Sequence, residues 1–166
     1  MKDLEGQVAI VTGAGQGVGA AIAERLAAAG AHLALVDRQE NLVREVAGKI
    51  AEDHGHEARH YTCDVRDRAA LADVIKDAAT MTGRIDVLVN NAGRWISGPF
   101  VDSAPLDWEE QIDTNFGAVL TLTQLIVQRH QAGWPQAHIA AAMGVSRKCV
   151  KTWIDRYDDE GDAGLV

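Results

Sequence analysis

VAIVTGAGQGVGAAIAERL, Val8–Leu26, is the stretch on which the reading of this chain turns. It opens with a short apolar run of strand length and closes with a run of helical composition from Val18 onward. Between the two, TGAGQGVG places glycines at 13, 15, 17 and 19. A glycine-rich turn in that position lets backbone approach a pyrophosphate closely, while the free N–H groups at the helix start face its charge. Thr12, Gly13, Gly15, Gln16, Gly17, Val18 and Gly19 are therefore the candidate phosphate-binding residues.

The same alternation continues downstream. HLALVD (residues 32–37), ARHYTCD (58–64) and IDVLVNNAG (85–93) have strand length. Helical stretches are expected over residues 18–29, 39–54 and 66–82, with Gly30, Gly55 and Gly83 as their stops. A fourth helix is expected to start near Asp107, where Asp107 and Glu110 have capping-box spacing, and to run to about Gln131. Strands separated by helices of this length predict an α/β fold, with right-handed crossovers, a parallel sheet and helices on both faces.

Asp37 ends the second strand about 20 residues past the glycine turn, where a carboxylate accepts from ribose hydroxyls and repels a 2′-phosphate. This favours NAD over NADP as the cofactor. Arg38, next to it, is the residue that could instead meet a phosphate. A second reading of Asp37 stays open, as a cap for the helix that follows.

TGAGQGVG, CDV and NNAG, in this order and spacing over about residues 4–124, resemble the short-chain dehydrogenase/reductase family. The resemblance implies a Rossmann-like domain and alcohol or carbonyl oxidoreduction with a nicotinamide dinucleotide. It further implies that Gly13, Gly17 and Gly19 cradle the pyrophosphate, that Asp64 and Val65 sit by the adenine, and that Asn90, Ala92 and Gly93 line the cofactor. Asn115, in DTNFG, matches the family's helix asparagine that helps hold an active-site water and lysine, and is the one catalytic candidate. Plainer roles stand beside these: a helix cap for Asp64, turn formation for Asn90 and Asn91, and a backbone hydrogen bond within a long helix for Asn115.

Hydride chemistry in this family needs a tyrosine with a lysine four positions later, and a serine to orient the substrate. The tyrosines here are Tyr61 and Tyr157, followed at that distance by Val65 and Gly161. The catalytic Ser, Tyr and Lys are thus absent, and impaired catalysis is expected. The family's later strands are also missing from the pattern. The fourth strand is then expected to form a sheet edge without a neighbour, a surface open to self-association.

Beyond Gly133 the strand signal gives way to HIAAAMGVSRKCVKTW, residues 138–153. With Gly144 as the turn, Ala140 falls where two helices cross, and Val150, Trp153, Ile154 and Tyr157 form one apolar stripe. Arg147, Lys148, Lys151 and Thr152 form the opposite face, suited to phosphates and base edges. A structural helical hairpin is the alternative. About residues 125–165 resemble the leading helix-turn-helix of insertion-sequence transposases, which implies DNA as a partner and no transposition chemistry on this stretch.

The expected organisation is a partial dinucleotide-binding domain over residues 1–124 and a small all-α helix-turn-helix segment over 125–166. The abutment of two unlike patterns without a linker is read as a fusion, with an inert fusion product as a further alternative. Charge follows the same division: 11 Lys and Arg face 19 Asp and Glu up to Gln124, and five face five thereafter. The net charge of −8 argues against a chain whose whole surface grips nucleic acid. With no secretory signal pattern and no membrane-length apolar run, a cytoplasmic location is expected. Cys63 and Cys149 lie far apart, and the histidines cluster only at His54 and His56, so no metal site is expected.

Overall fold

The computed structural model describes residues 4–131. Four strands, β1 (Val8–Thr12), β2 (His32–Asp37), β3 (Ala58–Thr62) and β4 (Val87–Val89), form one parallel sheet in the order β3-β2-β1-β4. Helix α1 (Gly17–Ala27) follows β1, α2 (Glu40–His54) follows β2 and α3 (Arg68–Ala78) follows β3. After β4 come a 3-10 turn (Phe100–Asp102), α4 (Pro105–Ile112), a π-helical segment (Asp113–Gly117) and α5 (Ala118–Gln131).

Strand periodicity divides the core into two layers. Ala9, Val11, Leu33 and Leu35 point to the face covered by Ala23 and Ala27 of α1 and Val43, Ala47 and Ile50 of α2. Val8, Ile10, Ala34 and Val36 point to the other, against Leu71, Val74 and Ile75 of α3 and Ala118 and Leu122 of α5. A central parallel strand covered on both faces reads as an unbroken apolar run, and every residue of β1 is buried. Ile10, Leu33 and Leu35, each at most 1% exposed, contribute about 1.5–3 kcal/mol apiece through burial.

The helix ends depart from the sequence expectations in instructive ways. Only Gly55 is a left-handed cap, at the end of α2; Gly30 and Gly83 take positive φ in the turns beyond α1 and α3. The third helix starts at Arg68 because Asp67 accepts from the N–H groups of Ala69 and Ala70. Asp64 is therefore not its cap. The fourth helix begins at Pro105, with Ala104 in the cap position, so Asp107 lies inside the first turn and no capping box forms. Proline supplies the start because its ring presets a helical φ and its missing N–H would be unpaired there anyway.

Asp37 does not cap α2 directly either. Gln39 occupies the cap position, and Asp37 accepts from its N–H at 2.9 Å. β4 closes one side of the sheet, pairing with β1 alone among the described strands. No helix among the described residues is long and apolar enough to cross a membrane.

Candidate dinucleotide site

The parallel strands end on one side of the sheet, where the loops after β1, β2, β3 and β4 enclose a cavity of about 360 Å³. Gly13 and Gln16 line it from the first loop, Asp37, Arg38 and Gln39 from the second, and Cys63, Asp64, Val65 and Arg66 from the third. Asn91, Ala92, Gly93 and Arg94 follow β4, and Thr114 comes from the π-helical segment. Strand order reverses between β1 and β4 at this place, which is where open α/β sheets bind ligands.

The first loop works largely from behind the cavity wall. Gly13 has φ +65°, and a Cβ there would come within 2.9 Å of the Cα of Ala92. At Gly19 the approach is closer still: a Cβ would lie 2.1 Å from the carbonyl oxygen of Gly13. Gly15 packs on Asp37, whose Oδ2 accepts from its N–H at 3.0 Å. Gly17, at φ +56°, faces open space, and Val18 beside it is exposed. Helix α1 has no side-chain cap, so the N–H groups of its first turn are open to an anion.

Thr12 ties this loop to the one after β4. Its hydroxyl accepts from the N–H groups of Asn91 and Ala92 at 3.1 and 3.0 Å and donates to the carbonyl of Val89 at 3.3 Å. The Asn91 carboxamide donates back to the carbonyls of Thr12 and Gly13 at 3.0 and 3.2 Å. Asn90, the sequence candidate, is exposed and does not line the cavity, whereas its neighbour Asn91 does. The strand phase explains this, since successive residues leave a strand on opposite faces.

The Asp37 carboxylate is only 9% exposed and is held by Gly15 and Gln39, while Arg38 is exposed and its charge acts on Asp64. Asp64 is gripped by Arg66, with Nη2 to Oδ2 at 2.7 Å, and this guanidinium holds its carboxyl below the usual carboxylate range. The Cys63 thiol is buried behind them, and burial with the nearby Asp67 and Asp64 pushes it up to about 11. Burial and the two carboxylates thus favour the thiol form of this wall group.

Asn115 does make a backbone hydrogen bond, but outside its own helix. Its Oδ1 accepts from the N–H of Arg94 at 2.7 Å and its Nδ2 donates to the Arg94 carbonyl at 2.9 Å. The Arg94 side chain bonds Glu110 of α4. Arg66 and Arg94 carry no site signal in the sequence, and Glu110 carries only the capping-box spacing, because isolated charged residues in loops and on helix surfaces are ordinarily solvated.

Among the described residues no group of three or more His, Cys, Asp or Glu side chains is arranged to hold a metal. His54 bonds Glu24 at 2.6 Å instead. Arg147, Lys148, Lys151, Thr152 and Cys149 lie outside the described residues.

Comparison with known proteins agrees with this geometry. The short chain dehydrogenase family model matches residues 7–139, and a helix-turn-helix domain model matches 124–166. Oxidoreductase UcpA of Escherichia coli (strain K12) is 40% identical over 130 residues, covering 76% of this chain and 48% of its own. D-threitol dehydrogenase of Mycolicibacterium smegmatis is 36% identical over 126 residues, with the same coverage of both. The chain spans about half the length of the curated relatives it matches.

Among solved structures, L-sorbose reductase from Gluconobacter frateurii complexed with NADPH and L-sorbose superposes with a TM-score of 0.71 at 30% identity. That match covers 76% of this chain and 50% of the other. A short chain dehydrogenase from Burkholderia cenocepacia in complex with NADP gives 0.71 at 34% identity, covering 76% and 52%. A Rossmann-like parallel sheet, a glycine loop packed on the loop after β4, and a family model spanning residues 7–139 together place this chain in the short-chain dehydrogenase family.

Proposed function

We propose that the cavity at the strand ends binds a nicotinamide dinucleotide, and that its chemistry is oxidoreduction of the alcohol or carbonyl class. The single observation that carries this reading is Asp37. Its carboxylate stands at the end of β2, nearly buried, oriented by two backbone N–H groups, and lines the same cavity as Gly13 and Gln16. Each oxygen keeps a lone pair for a ribose hydroxyl, and a 2′-phosphate beside it would meet like charge. NAD is accordingly the preferred cofactor and NADP the weaker one.

The residues fit such a group. The first turn of α1 offers N–H groups to a pyrophosphate, with open space at Gly17, while Asp64 and Val65 line the cavity where the adenine would sit and Ala92 and Gly93 line it from the loop after β4. Bound nicotinamide supplies hydride transfer. These 166 residues contain no tyrosine with a lysine four positions on, so impaired catalysis of that oxidoreduction is part of the proposal. Asn115 acts here by fixing Arg94, with the family's catalytic role for it kept as part of the proposal. A cytoplasmic location suits a nicotinamide cofactor.

Calorimetric titration tests the reading, and because the solved relatives above hold NADPH or NADP, it compares NADH with NADPH. Micromolar saturation by NADH and weaker binding of NADPH are expected. A folded sample that bound neither would overturn the assignment.

A second reading is favoured by the helix-turn-helix match over residues 124–166. It gives Arg147, Lys148, Lys151 and Thr152 to DNA, and predicts binding that weakens steeply with salt and on Arg147→Ala or Lys151→Ala. The outer edge of β4, unpaired among the described strands, is where a second copy would add in self-association.

A further inference from the structure

Five charged side chains line the cavity: Asp37, Asp64, Arg38, Arg66 and Arg94. Three guanidiniums against two carboxylates would by themselves make a cleft that attracts phosphate. The excess is offset from outside. Glu110, on α4 and not part of the lining, reaches two of the three arginines at once. Its Oε1 lies 3.3 Å from Nη1 of Arg66, and its Oε2 accepts from Nη1 of Arg94.

The two arginines come from different loops. Arg66 follows β3, on the side of Asp64 and Val65, and is already bonded to Asp64. Arg94 follows Gly93 after β4, with Asp107 as a second, more distant partner at 3.8 Å. Arg38, the third cavity guanidinium, does not contact Glu110; its charge acts on Asp64.

We propose that Glu110 is a specificity-determining residue: with its carboxylate on Arg66 and Arg94 together, and with Asp107 as the more distant second carboxylate, it offsets the cleft's positive charge and so disfavours a cofactor bearing a third phosphate. The inference rests on the reading that the cavity binds a nicotinamide dinucleotide. Glu110 touches no cofactor, and its carboxylate acts by its charge from its place on the two arginines. Its effect is a charge effect, and so must depend on the phosphate count of the ligand.

The test is the ratio of NADPH to NADH affinity, measured by titration of the full chain and of Glu110→Gln and Glu110→Asp. Loss of one negative charge from the edge of the cleft, felt more strongly by the ligand with the additional phosphate, raises relative NADPH affinity about fivefold in Glu110→Gln at low salt, a gain that fades at about 1 M salt. Glu110→Asp keeps the charge and is expected to keep the wild-type ratio. A merely structural role would weaken both dinucleotides in parallel, in both variants, and would overturn the proposal. So would a Glu110→Gln protein with a cooperative thermal transition and an unchanged ratio, which would leave the cofactor reading standing. A wild-type chain that bound neither dinucleotide would overturn both.

Discussion

The carboxamide of Asn115 brackets the backbone of Arg94, accepting from its N–H at 2.7 Å and donating to its carbonyl at 2.9 Å. The π-helical segment Asp113–Gly117 holds Asn115 at this position. An extra residue in a helical turn re-aims side chains, and such bulges recur at functional sites. The loop that leaves β4 beside the cavity is thereby fastened to the helix that packs under it.

Asn115→Ala removes both bonds. Because Asn115 is exposed, water replaces part of each, and the expected cost is about 1 kcal/mol. Hydrogen exchange at the Arg94 amide should quicken by a larger factor than at β1. Asn115→Asp retains the acceptor and loses the donor, so it should protect the Arg94 amide while weakening its carbonyl bond. An unchanged Arg94 amide in Asn115→Ala would show that the bracket does not hold the loop.

The glycines separate into those that need space and those that need conformation. Gly19→Ala puts a methyl 2.1 Å from the Gly13 carbonyl oxygen and 2.6 Å from Nδ2 of Asn91, contacts that must displace backbone. We expect loss of about 2–4 kcal/mol and of dinucleotide binding. Gly17→Ala meets no atom but must hold φ +56°, at about 1–2 kcal/mol. Gly48→Ala, in the middle of α2 with nothing within 4 Å, should raise stability by up to about 1 kcal/mol. Urea unfolding of the three variants gives the order directly, and equal effects at Gly19 and Gly48 would contradict it.

Much of this was legible in the sequence because it lies in local pattern. VAIVT and HLALVD are unbroken apolar runs, as strands covered on both faces must be, and β1 and β2 form there. Asp37 and the loop glycines sit at fixed distances from those strands, so their placement followed. What local pattern does not carry is which residues meet across the sheet. The NNAG motif does not separate Asn91, which lines the cavity, from Asn90, which does not, because the two are adjacent and chemically alike and only the strand's phase distinguishes them. Glu110 joins loops that lie 44 and 16 residues away, at Arg66 and Arg94, and no spacing rule links such positions.

Acid should probe the Asp64–Arg66 pair. The guanidinium holds the Asp64 carboxyl below its ordinary range, so the folded state binds this proton less readily than the unfolded one. For a depressed carboxyl the contribution is present above the unfolded value of about 4 and is lost as pH falls through the folded value. Arg66→Ala should therefore be less stable than wild type at pH 7, with the gap narrowing as pH drops below about 4. Both side chains are partly exposed, so the gap is small and salt-sensitive. Urea midpoints of the two proteins between pH 7 and 3 measure it, and a gap that widened in acid would reverse the assigned sign.

Thr12 gives the sharpest test of how the two loops are joined. Its hydroxyl is 1% exposed with the rest of the side chain and serves three partners: the N–H groups of Asn91 and Ala92 donate to it, and it donates to Val89. Thr12→Val keeps shape and β-branching but replaces the hydroxyl with a methyl, leaving two N–H groups and a carbonyl without that partner in a part-buried site. Unpaired buried donors cost about 1–3 kcal/mol, so a loss in the upper part of that range is expected. Thr12→Ser keeps the oxygen and loses one methyl, for which about 1 kcal/mol is the expected cost. If the hydroxyl bonds are what join the loops, Thr12→Val loses NADH affinity as well as stability, and Thr12→Ser keeps the affinity. Equal losses in the two variants would mean that the methyl, through packing, sets the junction and the hydroxyl does not.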